Sequence, residues 1–210
     1  MLSSVASGIL NTVLITVSSF IIGSVLALPL VAARVSRYAA LRTIAALVID
    51  SLRAIPPIVL LFIIYYGIAQ GYLRLSAYDS GVACLSLVSA GFMAEVFRSS
   101  LRAISKGQRE AARALGLGRI QVVMSVVSPQ AARIAVPSGA AWAIGLLKDS
   151  SVVSLVGVQD VTFRAFTEAQ SGSSGTLPFI YAGGIYLLLS VPIGLLARYT
   201  GAKLAKGVRW

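Results

Sequence analysis

The sequence predicts an all-α integral membrane protein of about five transmembrane helices, and three observations carry that reading. Of the 210 residues, 57% are hydrophobic and only 12% are charged, against about 25% charged in soluble globular domains. The apolar residues fall in long runs, and a helix needs about 20 of them to cross the hydrocarbon. The basic residues gather between those runs rather than along a polar face, as in a membrane protein with a cytoplasmic side.

The elements follow in order. The first span is predicted over residues 8–33, interrupted only by Pro29 near its end. Residues 41–53 are less apolar and carry Asp50 and Arg53; they read as an interfacial helix leading to Pro56 and Pro57, which suit the first turn of a helix, where a missing N–H costs nothing. The second span is placed at 55–69, the third at 81–97, the fourth at 134–158 and the fifth at 179–197. The connection 162–178 is rich in Gly and Ser and reads as a flexible loop with room for a short helix. No repeat and no second domain is visible, so residues 1–210 are read as one transmembrane domain.

Orientation follows from the bases. Arg34, Arg37, Arg42 and Arg53 lie between spans one and two; Arg98, Arg102, Lys106, Arg109, Arg113, Arg119 and Arg133 lie between three and four; Arg198, Lys203, Lys206 and Arg209 follow span five. The opposite loops hold only Arg74 and Arg164, and Lys148 falls inside span four. This predicts an N-terminus outside and a C-terminus in the cytoplasm.

Several function classes lose support. A net charge of +11 suggests nucleic acid, but the placement of the bases argues for a membrane and against nucleic acid. There is no histidine, hence neither the commonest metal ligand nor the commonest general base; no metal site and no catalytic residue is predicted. Cys84 is a lone cysteine in an apolar stretch, read as a small hydrophobe. No G-x-x-x-x-G-K-[ST] loop is present, so nucleotide phosphates are not cradled in that way. The first apolar run has no basic region before it and no small-residue cleavage site, so it is expected to be retained.

The most informative connection joins spans three and four. Residues 106–115 read KGQREAARAL, rich in strong helix formers. Ala111, Ala112 and Leu115 lie three and four apart and are expected to share one small, weakly apolar face. Gly116 and Gly118 are expected to stop the helix, after which residues 120–127 are apolar up to Pro129. A short helix with a small face, ending sharply between two spans, is shaped to lie in another protein's groove.

Glu110-Ala111-Ala112, three residues, Gly116, nine residues, Val126, two residues and Pro129 resemble the EAA loop of ABC importer permeases. The flanks resemble the polar amino acid branch of that family: Ala94-Glu95-Val96-Phe97-Arg98, Lys106-Gly107-Gln108, Pro129-Gln130-Ala131 and Leu147-Lys148-Asp149-Ser150-Ser151. So does the stretch from Arg53-Ala54-Ile55-Pro56 through Leu61-Phe62 to Tyr65-Tyr66-Gly67. The sequence departs from the branch at Ala54-Ile55, at Ser128, and at Ser138-Gly139-Ala140-Ala141-Trp142, which lacks the usual Asn after the glycine. The resemblance implies a type I importer fold in a bacterial inner membrane, with a cytoplasmic coupling loop at about 106–129. It implies a binding protein that delivers a polar amino acid, a second permease subunit, and a pair of ATPase subunits that carry ATP and Mg, this chain holding no cofactor. Gln108, Glu110, Ala111, Ala112, Leu115 and Gly116 would dock the ATPase.

Candidate pathway residues each have a plainer reading. Tyr65 and Tyr66 are an interfacial aromatic belt or line the pathway. Glu95 pairs with Arg98 three residues on or serves the pathway. Lys148 and Asp149 lie about 20 Å along span four, where a charge faces protein or water; a structural pair, across a subunit interface for instance, stands beside a substrate contact. Gln159 and Asp160 lie where such permeases carry an acidic residue near the path, so Asp160 either meets a substrate ammonium or caps a helix. The competing class is a gradient-driven secondary transporter or channel, which the glycines and prolines would allow but five spans without an inverted repeat do not favour. A membrane scaffold leaves the loop and Lys148 unexplained.

Overall fold

The structure, a computed structural model, describes residues 1–172 and 175–206. Among them every regular element is helical. Of the features read from the sequence, Ser173 and Ser174 of the glycine- and serine-rich connection, and Arg209 with the C-terminus, lie outside the described residues.

Helix α1 (Leu2–Ala6) leads into α2 (Ile9–Arg34), and together they make an apolar span of 33 residues. Helix α3 (Ala39–Ala54) buries only Ala45 and Ile49, packs on α2 and α5, and meets the next helix at a bend of 97°. Proline sets that bend. Ile55, before Pro56, is extended at φ −73°, ψ 125°, because the following proline ring disfavours helical backbone there. Helix α4 (Pro57–Phe62) then starts with Pro57 in its first turn and continues as a π-helix, Ile63–Leu73. The helix expected at 41–53 is therefore present, over Ala39–Ala54, and the helix after the bend begins at Pro57 rather than at residue 55.

Helix α5 (Ala77–Ala103) opens on Ser76, whose hydroxyl accepts the Asp79 N–H at 3.1 Å, a side-chain cap that satisfies a free helix donor. It packs most extensively on α2. The facing residues are small: Ser19, Gly23 and Ala27 of α2 are buried against an α5 face with Ser86, Ser89 and Ala94. A Cβ on Gly23 would come within 2.5 Å of Ser89 Cβ. In lipid, association rests on close packing of this kind.

Helix α6 (Lys106–Ala114) is followed by a tight turn. The chain resumes helix at α7 (Arg119–Gln121), widens to π geometry over Val122–Val127, and runs on as α8 (Ser128–Asp149) and a 3₁₀ turn, Ser150–Val156. Span four is thus a continuous 38-residue helix, Arg119–Val156, longer than the predicted 134–158. The predicted loop at 106–129 is non-helical only around 115–118. Pro129 has no N–H to donate and its ring crowds the preceding turn, which accounts for the wide turn before it. Beyond Gly157, α9 (Val161–Gln170) occupies the connection expected to be flexible, and α10 (Leu177–Lys206) is the last span. Four helices are long and apolar enough to span, or five with the bent α3–α4 pair, matching the predicted number.

The core has two levels. Ile15, Leu61, Leu85, Val88, Leu146 and Val153 fill the half that carries α9. Ala27, Ile49, Met93 and Ala94 belong to the half that carries α6, and a separate cluster of Ile104, Ala112, Val122, Val127 and Ala131 lies beneath α6.

Candidate functional site

The α6 loop is built around one backbone reversal. Gly116 adopts φ +78°, which a Cβ disfavours. The Gly116 N–H donates to Arg113 O at 2.9 Å and the Leu117 N–H to Ala112 O at 3.2 Å. These are the two bonds of a Schellman motif, and its apolar contact is present because Leu117 packs on the cluster containing Ala112. The Gly118 N–H then donates to Gln121 Oε1 at 2.9 Å and starts α7.

One sequence expectation is corrected here. Ala111, Ala112 and Leu115 do not present a common face to a partner. Ala112 is 4% exposed and lies in the chain's own core, since the turn at Gly116 folds α6 back over Val122 and Val127. Ala111 and Leu115 point outward, Leu115 being 82% exposed. Gln108 and Glu110 are also exposed; Gln108 Oε1 accepts a long hydrogen bond from Gln130 at 3.4 Å. The outward surface is therefore Gln108, Glu110, Ala111 and Leu115, held on a scaffold of Ala112 and Gly116.

A cavity of about 790 Å³ opens between α2, α5, α8 and α10 in the α6 half. On α8 its wall is Ala131, Ala135, Gly139 and Ala143, four apart and so on one side of the helix. Their small side chains make the space. Phe20, Met93 and Phe97 bound it, and the hydroxyl-bearing residues Ser24, Ser100, Ser128 and Thr200 interrupt a mainly apolar lining.

None of the pathway residues predicted from sequence lines this cavity. Tyr65 and Tyr66 stack edge to face, centroids 4.9 Å apart, on the π-helix, with Tyr66 largely exposed. Lys148 is exposed and Asp149 half-buried at the end of α8; among the described residues neither is in an ion pair. Arg98 Nε and Nη2 clasp Glu95, so the plain i, i+3 pair is the one the structure forms.

Asp160 is the fully buried centre of a polar knot in the other half. Its Oδ1 accepts the Phe163 N–H at 2.8 Å, capping α9, and its Oδ2 accepts the Tyr186 hydroxyl of α10 at 3.0 Å. Burial pushes its carboxyl above the usual range, and these hydrogen bonds oppose the shift. Helix α2 closes the knot: Thr12 Oγ1 accepts the Val161 N–H at 3.2 Å, and Asn11 donates to Gln159 O at 2.9 Å. Gly8 sits so near that a Cβ would lie 2.3 Å from the Asp160 carbonyl carbon. The capping alternative is thus realised, while Gln159 Oε1 accepts from Arg164 at 2.7 Å on the surface. Sequence reasoning missed Gly8, Asn11, Thr12 and Tyr186, whose partners lie far along the chain. The small stripe on α8 was legible as alanine and glycine at every fourth position.

The membrane-length helices, the cavity among them and the outward-turned residues of α6 in the same half are the features a membrane transport component requires. The chain belongs to the family of binding-protein-dependent transport system inner membrane components, which matches residues 19–206. It is 38% identical over 161 residues to the probable amino-acid ABC transporter permease protein YckA of Bacillus subtilis (strain 168), covering 77% of this chain and 71% of that protein. It is 31% identical over 202 residues to the arginine transport system permease protein ArtQ of the same organism, covering 95% and 92%. A crystal structure of an amino acid ABC transporter with histidines superposes with a TM-score of 0.88 at 28% identity, over 96% of this chain and 94% of that one. An inward-facing methionine ABC transporter, MetNI, has a TM-score of 0.77 at 24% identity over 99% and 97% and so shares the fold. The chain is therefore an integral inner-membrane permease subunit of an ABC importer, and the gradient-driven alternative gives way to this family.

Proposed function

We propose that this chain forms the pathway for a polar amino acid or a related compound, working with an extracytoplasmic binding protein, a second permease subunit and a pair of ATPase subunits that hold ATP and Mg. The α6 end faces the cytoplasm, the N-terminus lies outside and the C-terminus inside. The arrangement of the bases supports this orientation, and the named relatives support the substrate class. The surface formed by Gln108, Glu110, Ala111 and Leu115 docks into the ATPase, and the cavity beside it is the vestibule through which substrate leaves. In this reading Asp160 and Gln159 hold the outer ends of the helices together. Lys148 and Asp149 meet groups outside this chain.

One observation carries the proposal. A helix packed on the chain's own apolar cluster through Ala112 ends in a closed Schellman turn that leaves Leu115 82% exposed on the outward side. ATPase closure moves this helix, and such coupling requires the docked surface to favour one state over another energetically. The test is purification of the tagged chain from its own cell, followed by reconstitution into vesicles loaded with ATP. Co-purification of an ATPase subunit and ATP-dependent uptake of one or more polar amino acids is the expected outcome. Uptake that follows an ion gradient and ignores ATP would refute it.

A further inference from the structure

The cavity ends at a definite level. Along the α8 wall the stripe of Ala131, Ala135, Gly139 and Ala143 gives way one turn later to Leu146 and Leu147, both buried, and the space is filled. Phe20 and Trp142 pack against the core clusters of both halves, so they lie at the boundary between open and packed. Unlike the leucines beyond it, Trp142 is only half-buried.

Three contacts hold it. The indole lies flat on Phe92, with ring centroids 3.8 Å apart and planes 11° from parallel. Its N–H donates to Ser89 Oγ at 3.1 Å, and Ser89 packs against Gly23 in the α2–α5 contact. The Arg53 guanidinium of α3 lies 5.2 Å from the Phe92 centroid, within the range of a cation–π contact. Because the indole covers one face of Phe92, Arg53 takes the other. One stack thus ties α3, α5 and α8 together at the level where the cavity stops. A polar solute crossing the bundle must pass this level, and packed elements change between discrete arrangements rather than by continuous stretching.

We propose that Trp142 is the mid-span gate of the pathway and that Arg53, acting through Phe92, is the positioning residue that holds it shut. The inference rests on reading the cavity as the vestibule. When the vestibule closes and the outer half opens, the indole leaves Phe92 and Ser89 and meets water. The neutral hydrogen bond and the ring contact are replaced by hydration, so no buried charge is stranded by the movement.

Hydroxyl-radical footprinting of the assembled transporter, read residue by residue by mass spectrometry, tests this directly in the ATP-free state and in the state trapped with ATP and vanadate. Oxidation of Trp142 is expected to rise several-fold on trapping, while that of Phe97, which lines the cavity, falls. If Phe97 changes and Trp142 does not, the gate is refuted and the vestibule stands; if neither changes, both are refuted. In the ATP-free state Arg53→Gln should already raise Trp142 oxidation, while Arg53→Lys, which retains a cation, should stay near the unmodified protein. A structural role alone would shift the melting temperature without this state dependence. Equal Trp142 labelling in both Arg53 variants and the unmodified chain would overturn the positioning role.

Discussion

Around Asp160 the chain buries its polar contacts among its own helices, whereas around α6 it turns Glu110 and Leu115 outward. Asp160, Thr12, Asn11 and Tyr186 reach one another or the backbone across α2, α9 and α10. Glu110, Ala111 and Leu115, at the other end, face away from the bundle. Both regions stand on a glycine, with opposite uses. Gly8 admits a neighbour that a Cβ would strike, while a Cβ at Gly116 would meet nothing within 4 Å and is disfavoured by the backbone angle. The Asp160 region is therefore a finished joint, and the α6 region, on the proposed reading, is half of one. A buried carboxylate in the first is costly to expose to change, and an exposed leucine in the second costs little until a partner arrives.

Variants separate the two regions, the largest effect coming first. Gly8→Val forces atoms into the Asp160 peptide and should cost about 3 kcal/mol or more, above the usual 1–3 kcal/mol of overpacking because the obstacle is backbone; thermal unfolding in detergent measures it. Asp160→Ala removes a cap worth about 0.5–2 kcal/mol and leaves the Tyr186 hydroxyl with Thr162 as its partner, so it should lower the melting point clearly. Asp160→Asn keeps an acceptor for Phe163, and uptake affinity should remain within about twofold; a tenfold loss, about 1.4 kcal/mol, at unchanged stability would show that the carboxylate meets a substrate cation.

The adjacent alanines sharpen the contrast. Ala112→Leu should destabilise the loop by about 1–3 kcal/mol through overpacking beneath α6. Ala111→Leu should change stability by less than about 0.5 kcal/mol, as exposed substitutions do, and still weaken retention of the ATPase on purification. Equal behaviour of the two would erase the division between scaffold and docking surface. Tyr186→Phe, which removes a hydroxyl bonded to both Asp160 Oδ2 and Thr162 Oγ1, should cost about 1–2 kcal/mol, read by the same melting assay.

The helical class, the number of spans and the α6 loop were legible because they depend on local signals: apolar run length, the two prolines before α4, and glycine after a run of helix formers. The side of α6 that faces inward was not. Helical spacing puts Ala111, Ala112 and Leu115 near one another, but the Gly116 reversal decides which of them turns to the core. The partners of Asp160 were equally hidden, because Thr12 lies 149 residues from Val161 and no local pattern marks a hydroxyl as an acceptor for a distant N–H. Span four was underestimated because Pro129 reads as a break, whereas a widened turn carries the helix through it. Trp142 was not singled out in the sequence, where the departure in its segment was the missing Asn after Gly139, and its stack on Phe92 needed the fold.

The docking role proposed for the α6 turn depends on the conformation of Gly116. Gly116→Arg addresses it most directly, because a side chain at φ +78° costs about 1–2 kcal/mol in the left-handed region and a long one there also wedges a docked partner away. Co-purification of the ATPase subunit with tagged Gly116→Arg, beside uptake in vesicles, is the measurement. The variant is expected to insert normally, lose its ATPase and not transport. Normal uptake with the ATPase bound would contradict the docking role.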